Sequence, residues 1–286
     1  MRILLIQLRR LGDLILTTPA ILALRHQFPE VRVTLAIAKE SEPLLPAIGG
    51  IDDSFIVTRG VRDLALSKKL RGFDCVIDFT QNARSAWMSL ASGARQRIAS
   101  HQWKRKRRLR ARFYNEFVPC AMKEMHTIDY NLALLEPLGI AGASAQPKLE
   151  IPRKAQDQAG VLIRNELSDR PFAIFHPGST RAEKFWEPMR WADVIAFAKN
   201  QLDLHPVLSS GNSALERKHA TEIRSHLTVP IFDFTDRLDL LTLAALIARA
   251  RFLVTVCKAS GSSPLTAPKR KPRARPRIKR HLYGRT

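Results

Sequence analysis

Twice along the chain, short and nearly continuous apolar runs alternate with segments of helical apolar spacing, and this alternation restricts the fold more than any other property. Arg2 to Leu8 (RILLIQL) is almost uninterrupted apolar sequence, as a parallel strand buried on both faces requires. A turn at Leu11-Gly12-Asp13 leads into Leu14 to Phe28, whose spacing predicts a helix. Val31 to Ala38, Ser54 to Val57 and Cys75 to Phe79 read as further strands, with short helices over Glu42 to Ala47 and closing at Ser67 to Leu70. After Ile151-Pro152 the charged helical stretch Lys154 to Leu167 reads as a connection, and the pattern then restarts. Strands are expected at Phe172 to Phe175, Pro206 to Ser209, Val229 to Phe232 and Phe252 to Val256; helices at Trp191 to Asn200, Ser213 to His226 and Leu238 to Arg249. Successive βαβα units of this kind predict an α/β protein with doubly wound sheets. The expected division is a first domain over 1–152, a linker over 153–170, a second domain over 171–256 and a tail over 257–286.

The alternation stops at Val256. Cys257 to Thr286 holds ten Lys or Arg and no acid, with much Pro, Ala and Ser, a composition that cannot bury enough apolar surface to order itself. Lys104 to Arg112 (KRKRRLRAR) carries seven more positive charges, so these two segments account for seventeen of the net +21 and leave only +4 elsewhere. Basicity this local, with aromatics at 7% and no interleaved aromatic pattern near either cluster, argues against a specific nucleic-acid binder. No run approaches the roughly 20 apolar residues of a membrane span, and Arg9, Arg10 and Asp13 interrupt the opening one, which argues against a signal peptide. A cytoplasmic protein is expected. Three cysteines without a CxxC spacing indicate neither a disulfide framework nor a zinc site.

Three segments carry chemistry. Arg9-Arg10-Leu11-Gly12-Asp13 follows the first strand, where open α/β sheets place their ligands; a carboxylate there can act as general base toward a hydroxyl or simply cap a helix. His176-Pro177-Gly178-Ser179-Thr180, with Lys184 close behind, follows the first strand of the second unit. Hydroxyls, a glycine and a lysine at a helix start can hold a pyrophosphate, although neither GxxxxGK[ST] nor GxGxxG is present. Ser209-Ser210-Gly211-Asn212 with Glu216 follows the next strand and suits a nucleoside, the acid accepting ribose hydroxyls.

Taken in order, RILLIQLRRLGDLILTTPAILALRHQFP, FDCVIDFTQNARSAWMSLASGARQRI, FHPGSTRAEKFW, PVLSSGNSALE and LTLAALIARARFLVTV resemble the bacterial heptosyltransferase family of lipopolysaccharide synthesis, over residues 1 to about 256. The resemblance implies a GT-B fold, two Rossmann-like domains facing a cleft, with the second cut short here. It implies inverting transfer of heptose from ADP-heptose to the growing inner core, the acceptor being an anionic lipid-linked sugar at the cytoplasmic face of the inner membrane. Carried over by position, Asp13 matches the general base, Thr180 and Lys184 the donor pyrophosphate site, and Glu216 the acid near the ribose, with Ser179 and Gly211 in the same donor loops. Gln81, Asn82 and Arg84 follow the CVIDF strand and are expected to face the acceptor. No cofactor beyond the ADP-sugar co-substrate is required and no metal ligand is identified, though Mg²⁺ is compatible with the chemistry.

The departure from the family falls after FLVTV, where an acid, a small residue, Gly and a nearby His are expected and the chain reads Cys257-Lys-Ala-Ser-Gly-Ser-Ser-Pro264. A shift of reading frame near codon 257 would produce such a change. Loss of that loop would remove donor contacts and leave the second sheet uncovered. Three readings therefore stand: a transferase, intact or impaired; a non-catalytic remnant that binds the acceptor or, through its basic segments, an anionic membrane; and, on charge alone, a nonspecific nucleic-acid binder acting through the tail.

Overall fold

A computed structural model of the chain describes residues 1–58, 69–102, 108–142, 146–179, 181–256 and 277–280. The chain divides into two compact units, Met1–Glu150 and Ile151–Thr286.

The first unit is built on six parallel strands in the order β3-β2-β1-β4-β5-β6. They are β1 (Arg2–Gln7), β2 (Arg32–Ala38), β3 (Asp53–Val57), β4 (Cys75–Asp78), β5 (Gln96–Ser100) and β6 (Glu116–Val118). Strand order reverses between β1 and β4, so the crevice beyond their carboxyl ends is where this sheet receives a ligand. The central strands are apolar throughout because both faces are covered: Leu4, Ile6 and Val76 pack with Phe73 and Met88 on one side, while alternate residues point to the other.

The expected helix over Leu14 to Phe28 is two: α1 (Leu11–Ile15) and α2 (Thr18–Gln27). Pro19 opens α2, and a proline there has no N–H with which to continue the preceding helix. The carbonyls freed at the joint are taken by hydroxyls, Thr17 Oγ1 donating to Asp13 (2.8 Å) and Thr18 Oγ1 to Ile15 (2.8 Å). Lys39–Ala47 is a 3₁₀ segment, and the described residues of the unit also include the helices α3 (Ala83–Ala91), α4 (Arg108–Ala111) and α5 (Thr127–Ala133) and a 3₁₀ turn at Glu136–Leu138. Most of the helix expected to close at Ser67 to Leu70, and Lys104 to Arg107 of the basic run, lie outside the described residues.

The second unit has strands β7 (Phe172–His176), β8 (His205–Leu208), β9 (Phe232–Asp233), β10 (Phe252–Thr255) and β11 (Arg277–Arg280) in the order β11-β10-β7-β8-β9. All pair in parallel except β11, which runs antiparallel along β10. Along β7, Phe172 and Ile174 face one cluster with Val207, Phe234 and Leu246, while Ala173 and Phe175 face another with Trp191, Ile195 and Ile223. Helices α6 (Arg153–Leu167) and α9 (Leu240–Arg249) cover the first face; α7 (Pro188–Leu202) and α8 (Ala214–Ser225) cover the second.

Two expectations are corrected here. The linker over 153–170 is largely α6, whose stripe Ala155, Ala159, Ile163 and Leu167 is buried and joins the sheet's core; its charged outer face hid a helical period that serves packing. Nor is the sheet left uncovered or the tail wholly without structure: both faces are packed, and residues 277–280 form the edge strand that takes up the free backbone groups of β10.

Candidate functional site

In the first unit, the residues after β1 and β4 meet at the switch point. Asp13 is the third residue of α1, half-buried, and lines an open depression of about 550 Å³ with Leu8, Arg9, Arg10, Ala38 and Glu40. The capping position of α1 belongs to Arg10, so Asp13 caps nothing. Its backbone carbonyl is held by Thr17 Oγ1 and Gln7 Nε2, but among the described residues its carboxylate enters no hydrogen bond or ion pair. A carboxylate fixed at its backbone and left open at its oxygens can accept a proton from a bound hydroxyl.

A second depression, of about 180 Å³, shares Leu8, Ala38 and Glu40 with the first and is completed by Lys39, Val57, Asn82 and Arg84. Asn82 is exposed and caps α3, its Oδ1 accepting the N–H groups of Arg84 (2.9 Å) and Ser85 (2.9 Å). Arg84 donates to the carbonyl of Thr58. Lys39, Glu40 and Arg10 belong to this surface but were not singled out individually from sequence, because only the folded sheet brings the end of β2 beside the loop after β1.

Gln81 is different. It sits in the left-handed region (φ +52°) with 7% of its surface exposed, and its amide donates to the carbonyl of Asp78 (3.0 Å) and to the Tyr130 hydroxyl. The structure therefore places its side chain in the interior of the turn rather than on the exposed face expected of an acceptor-binding residue. Asp78 organises that turn: fully buried, it accepts the N–H groups of Thr80 (2.9 Å) and Gln81 (2.8 Å) and the Tyr114 hydroxyl. Burial pushes its carboxyl above the usual range, against the opposing effect of those hydrogen bonds, and burial likewise raises the Tyr114 hydroxyl.

In the second unit, the loops after β7 and β8 converge on Glu216. An imagined Cβ on Gly178 would lie 2.6 Å from Glu216 Oε1, and one on Gly211 2.5 Å from Glu216 Oε2. The carboxylate thus lies across both glycines, a closeness that any side chain at either position would prevent. Ser213 caps α8 and fixes the acid, its Oγ accepting Glu216 N–H (3.2 Å) and donating to Oε2 (2.7 Å). His176 Nδ1 and Ser209 Oγ, 3.0 Å apart, tie the two loops together. Burial pulls His176 below the ordinary imidazole value, with Glu216 pulling the other way, so this histidine is a neutral structural link at neutral pH.

Gly178, Gly211 and Glu216 are accordingly brought together, with Ser179 the next residue along the first of the two loops. Ser179 Oγ accepts Arg181 N–H (3.3 Å), Lys184 ends a short 3₁₀ turn between β7 and α7, and Thr180 lies outside the described residues. The second sheet's order reverses between β7 and β10. One wall of that crevice is therefore the His176 to Ser179 loop; the residues that directly follow β10 on the other side, 257–276, lie outside the described residues.

The sequence profile of glycosyltransferase family 9 (heptosyltransferase) matches residues 63–272, a span that includes the start of the compositional change after Val256. Lipopolysaccharide heptosyltransferase 3 of Escherichia coli K12 is 25% identical over 268 residues, covering 87% of this chain and 75% of the relative. Among solved structures, the family 9 glycosyl transferase of Veillonella parvula superposes with TM-score 0.77 at 25% identity, over 89% of this chain and 74% of that one. E. coli heptosyltransferase WaaC with ADP (TM-score 0.65, 18% identity, 90% and 81%) and E. coli ADP-heptose LPS heptosyltransferase II (0.69, 19%, 90% and 79%) share the fold. With two Rossmann-like units, an open carboxylate at the switch point of the first and a glycine-cradled acid in the second, the chain belongs to glycosyltransferase family 9, and its family activity is that of a glycosyltransferase.

Proposed function

We propose that the chain transfers heptose from ADP-heptose, with inversion, to an anionic lipid-linked sugar of the lipopolysaccharide inner core. The observation that carries the reading is Asp13, a carboxylate on the ligand-binding edge of the first sheet with no described partner of its own. In the proposed step, Asp13 takes the proton of an acceptor hydroxyl as its oxygen bonds to the anomeric carbon. The bond from that carbon to the diphosphate breaks, and ADP departs with the electron pair.

The first unit supplies the acceptor groups, Asn82 and Arg84 with Lys39 and Arg10, while Gln81 acts only by holding the turn that presents them. The second unit supplies the donor groups. Lys184, Ser179 and Thr180 are assigned to the diphosphate, where a cation and hydroxyl donors offset the charge developing on the leaving group. Glu216, cradled by Gly178 and Gly211, is assigned to the ribose hydroxyls. These groups carry the charge in the proposal, which requires no cofactor beyond the sugar nucleotide. Among the described residues no helix is long and apolar enough to cross a membrane, and the proposed location is the cytoplasmic face, with the basic segments touching anionic lipid.

A second reading is favoured by one observation of the sequence: its composition changes directly after β10, where the family continues with donor-binding residues. In that reading the chain is a non-catalytic remnant, and a frame shift near codon 257 is its proposed origin. Calorimetry with ADP on this chain, beside one carrying a family-like continuation after Val256, separates the two. Binding by both, with incorporation of labelled heptose into inner-core acceptor, supports the transferase. Binding only by the restored chain supports the remnant, and resequencing that finds no acid-x-Gly…His segment in a shifted frame refutes the frame-shift origin.

A further inference from the structure

The buried turn after β4 has a second consequence, for Arg9. Asp78 fixes the N–H of Thr80, and Thr80 in turn binds the loop after β1 twice. Its Oγ1 accepts the N–H of Leu8 (2.6 Å), and its carbonyl accepts Arg9 Nε (3.3 Å) and Nη2 (2.9 Å). Arg9 Nη1 contacts Met122 Sδ (2.7 Å). A guanidinium has five N–H donors in a rigid plane, and these contacts engage three, so two are without a partner among the described residues. The same arginine lines the depression that holds Asp13. Proton transfer to Asp13 has no use for a cation held in this way.

We infer that Arg9 is a specificity-determining residue that receives an oxyanion of the acceptor, a phosphate or a carboxylate, beside the hydroxyl presented to Asp13. The inference rests on the acceptor reading above and names the chemistry that the first unit selects. A planar fork already oriented by two bonds to one carbonyl offers its remaining N–H groups at little cost in side-chain order, and charge-assisted pairs of this geometry are the strong ones. Asp13 and Glu40 on the same depression oppose an anion; Arg10 on it, and Lys39 and Arg84 on the adjoining one, favour it. Selectivity therefore depends on the placement of Arg9 more than on the sum of local charge.

The bland alternative is that Arg9 is only a strut between the loops after β1 and β4. The test uses the full chain, Arg9→Met and Arg9→Lys, and inner-core oligosaccharide in three forms: native, stripped of phosphate with hydrofluoric acid, and esterified at its carboxylates. The expected result is a KM for native acceptor raised about tenfold to a hundredfold in Arg9→Met with kcat little changed. Arg9→Lys should recover only part of this, since a lysine cannot reproduce the fork. The penalty should disappear with the one modified acceptor that has lost the recognised group, which identifies phosphate or carboxylate as the source. An equal penalty on all three acceptors, or none on any, overturns the inference. A readout that needs neither variant nor turnover is the Arg9 Nε–H resonance of the ¹⁵N-labelled native chain. It should shift with native oligosaccharide and not with the relevant neutralised form. A shift without heptose transfer would sink the transferase reading and leave this inference standing; transfer without a shift, or no acceptor binding at all, would overturn it.

Discussion

Replacing Gly211 with alanine tests the donor site through a single carbon atom. The new Cβ would lie 2.5 Å from Glu216 Oε2 and 3.0 Å from its Cδ, against about 3.5 Å or more for comfortable contact, so the carboxylate must move by roughly 1 Å or change rotamer. The colliding group is the end of a half-buried side chain, and Gly211 is not among the glycines at positive φ. Folding should therefore tolerate the change. Loss of the Ser213 to Glu216 bond costs about 0.5–1.5 kcal/mol, and the less flexible unfolded chain returns about 0.4–1 kcal/mol. Donor affinity should not tolerate it. A carboxylate hydrogen bond to a ribose hydroxyl is worth about 1.5–3 kcal/mol, so Kd for ADP should rise about 10- to 150-fold. Calorimetry with ADP beside a thermal melt measures both quantities. The decisive control is Glu216→Ala, which removes the three atoms nearest the added methyl and in whose background Gly211→Ala should be nearly silent. Unchanged ADP affinity in Gly211→Ala, or an equal loss with and without Glu216, refutes the assignment of Glu216 to the ribose.

Further outcomes follow from other residues. Asp13→Asn should lower kcat about 10²- to 10⁴-fold while leaving the melting temperature unchanged, because its carboxylate has no described partner; undiminished heptose incorporation would remove it from the role of base. Asn82→Ala deletes the cap of α3 and should cost about 1 kcal/mol, read as a lower urea midpoint at constant slope. His176 is held below its ordinary 6.5 by burial, so the unfolded chain takes up its proton at a higher pH than the native one. Its contribution is intact above about pH 6.5 and is lost as pH falls toward the native value, by at most about 1.4 kcal/mol per pH unit. His205 and His219 are lowered by burial too, so the discriminating measurement is the slope of stability against pH between 7.5 and 5.5. His176→Asn should flatten that slope, and an unaltered slope would show that His176 does not titrate as its burial demands.

From sequence alone, the α/β class, the two units, the break after Val256 and the placement of Asp13 and of the Gly178 and Gly211 loops just beyond their strands were legible. The reason is local: strands buried on both faces, such as β1, β4 and β7, must be apolar throughout, and a glycine loop after such a strand announces itself. Strands β5 and β6 were not legible, because Gln96–Ser100 and Glu116–Val118 mix polar and apolar residues and become strands by pairing with β4 and its neighbour. Tertiary structure alone decided that α6 is core, since its apolar stripe has meaning only against α9 and the sheet. It also decided the fates of three polar side chains: Gln81 turned inward onto Asp78 and Tyr130, Glu216 drawn across two glycines, and Arg9 fixed by a carbonyl 71 residues away. Periodicity reports which face of an element is buried. Which distant backbone atom a polar group will meet depends on the order in which strands assemble, and that order is settled only by the packed sheet.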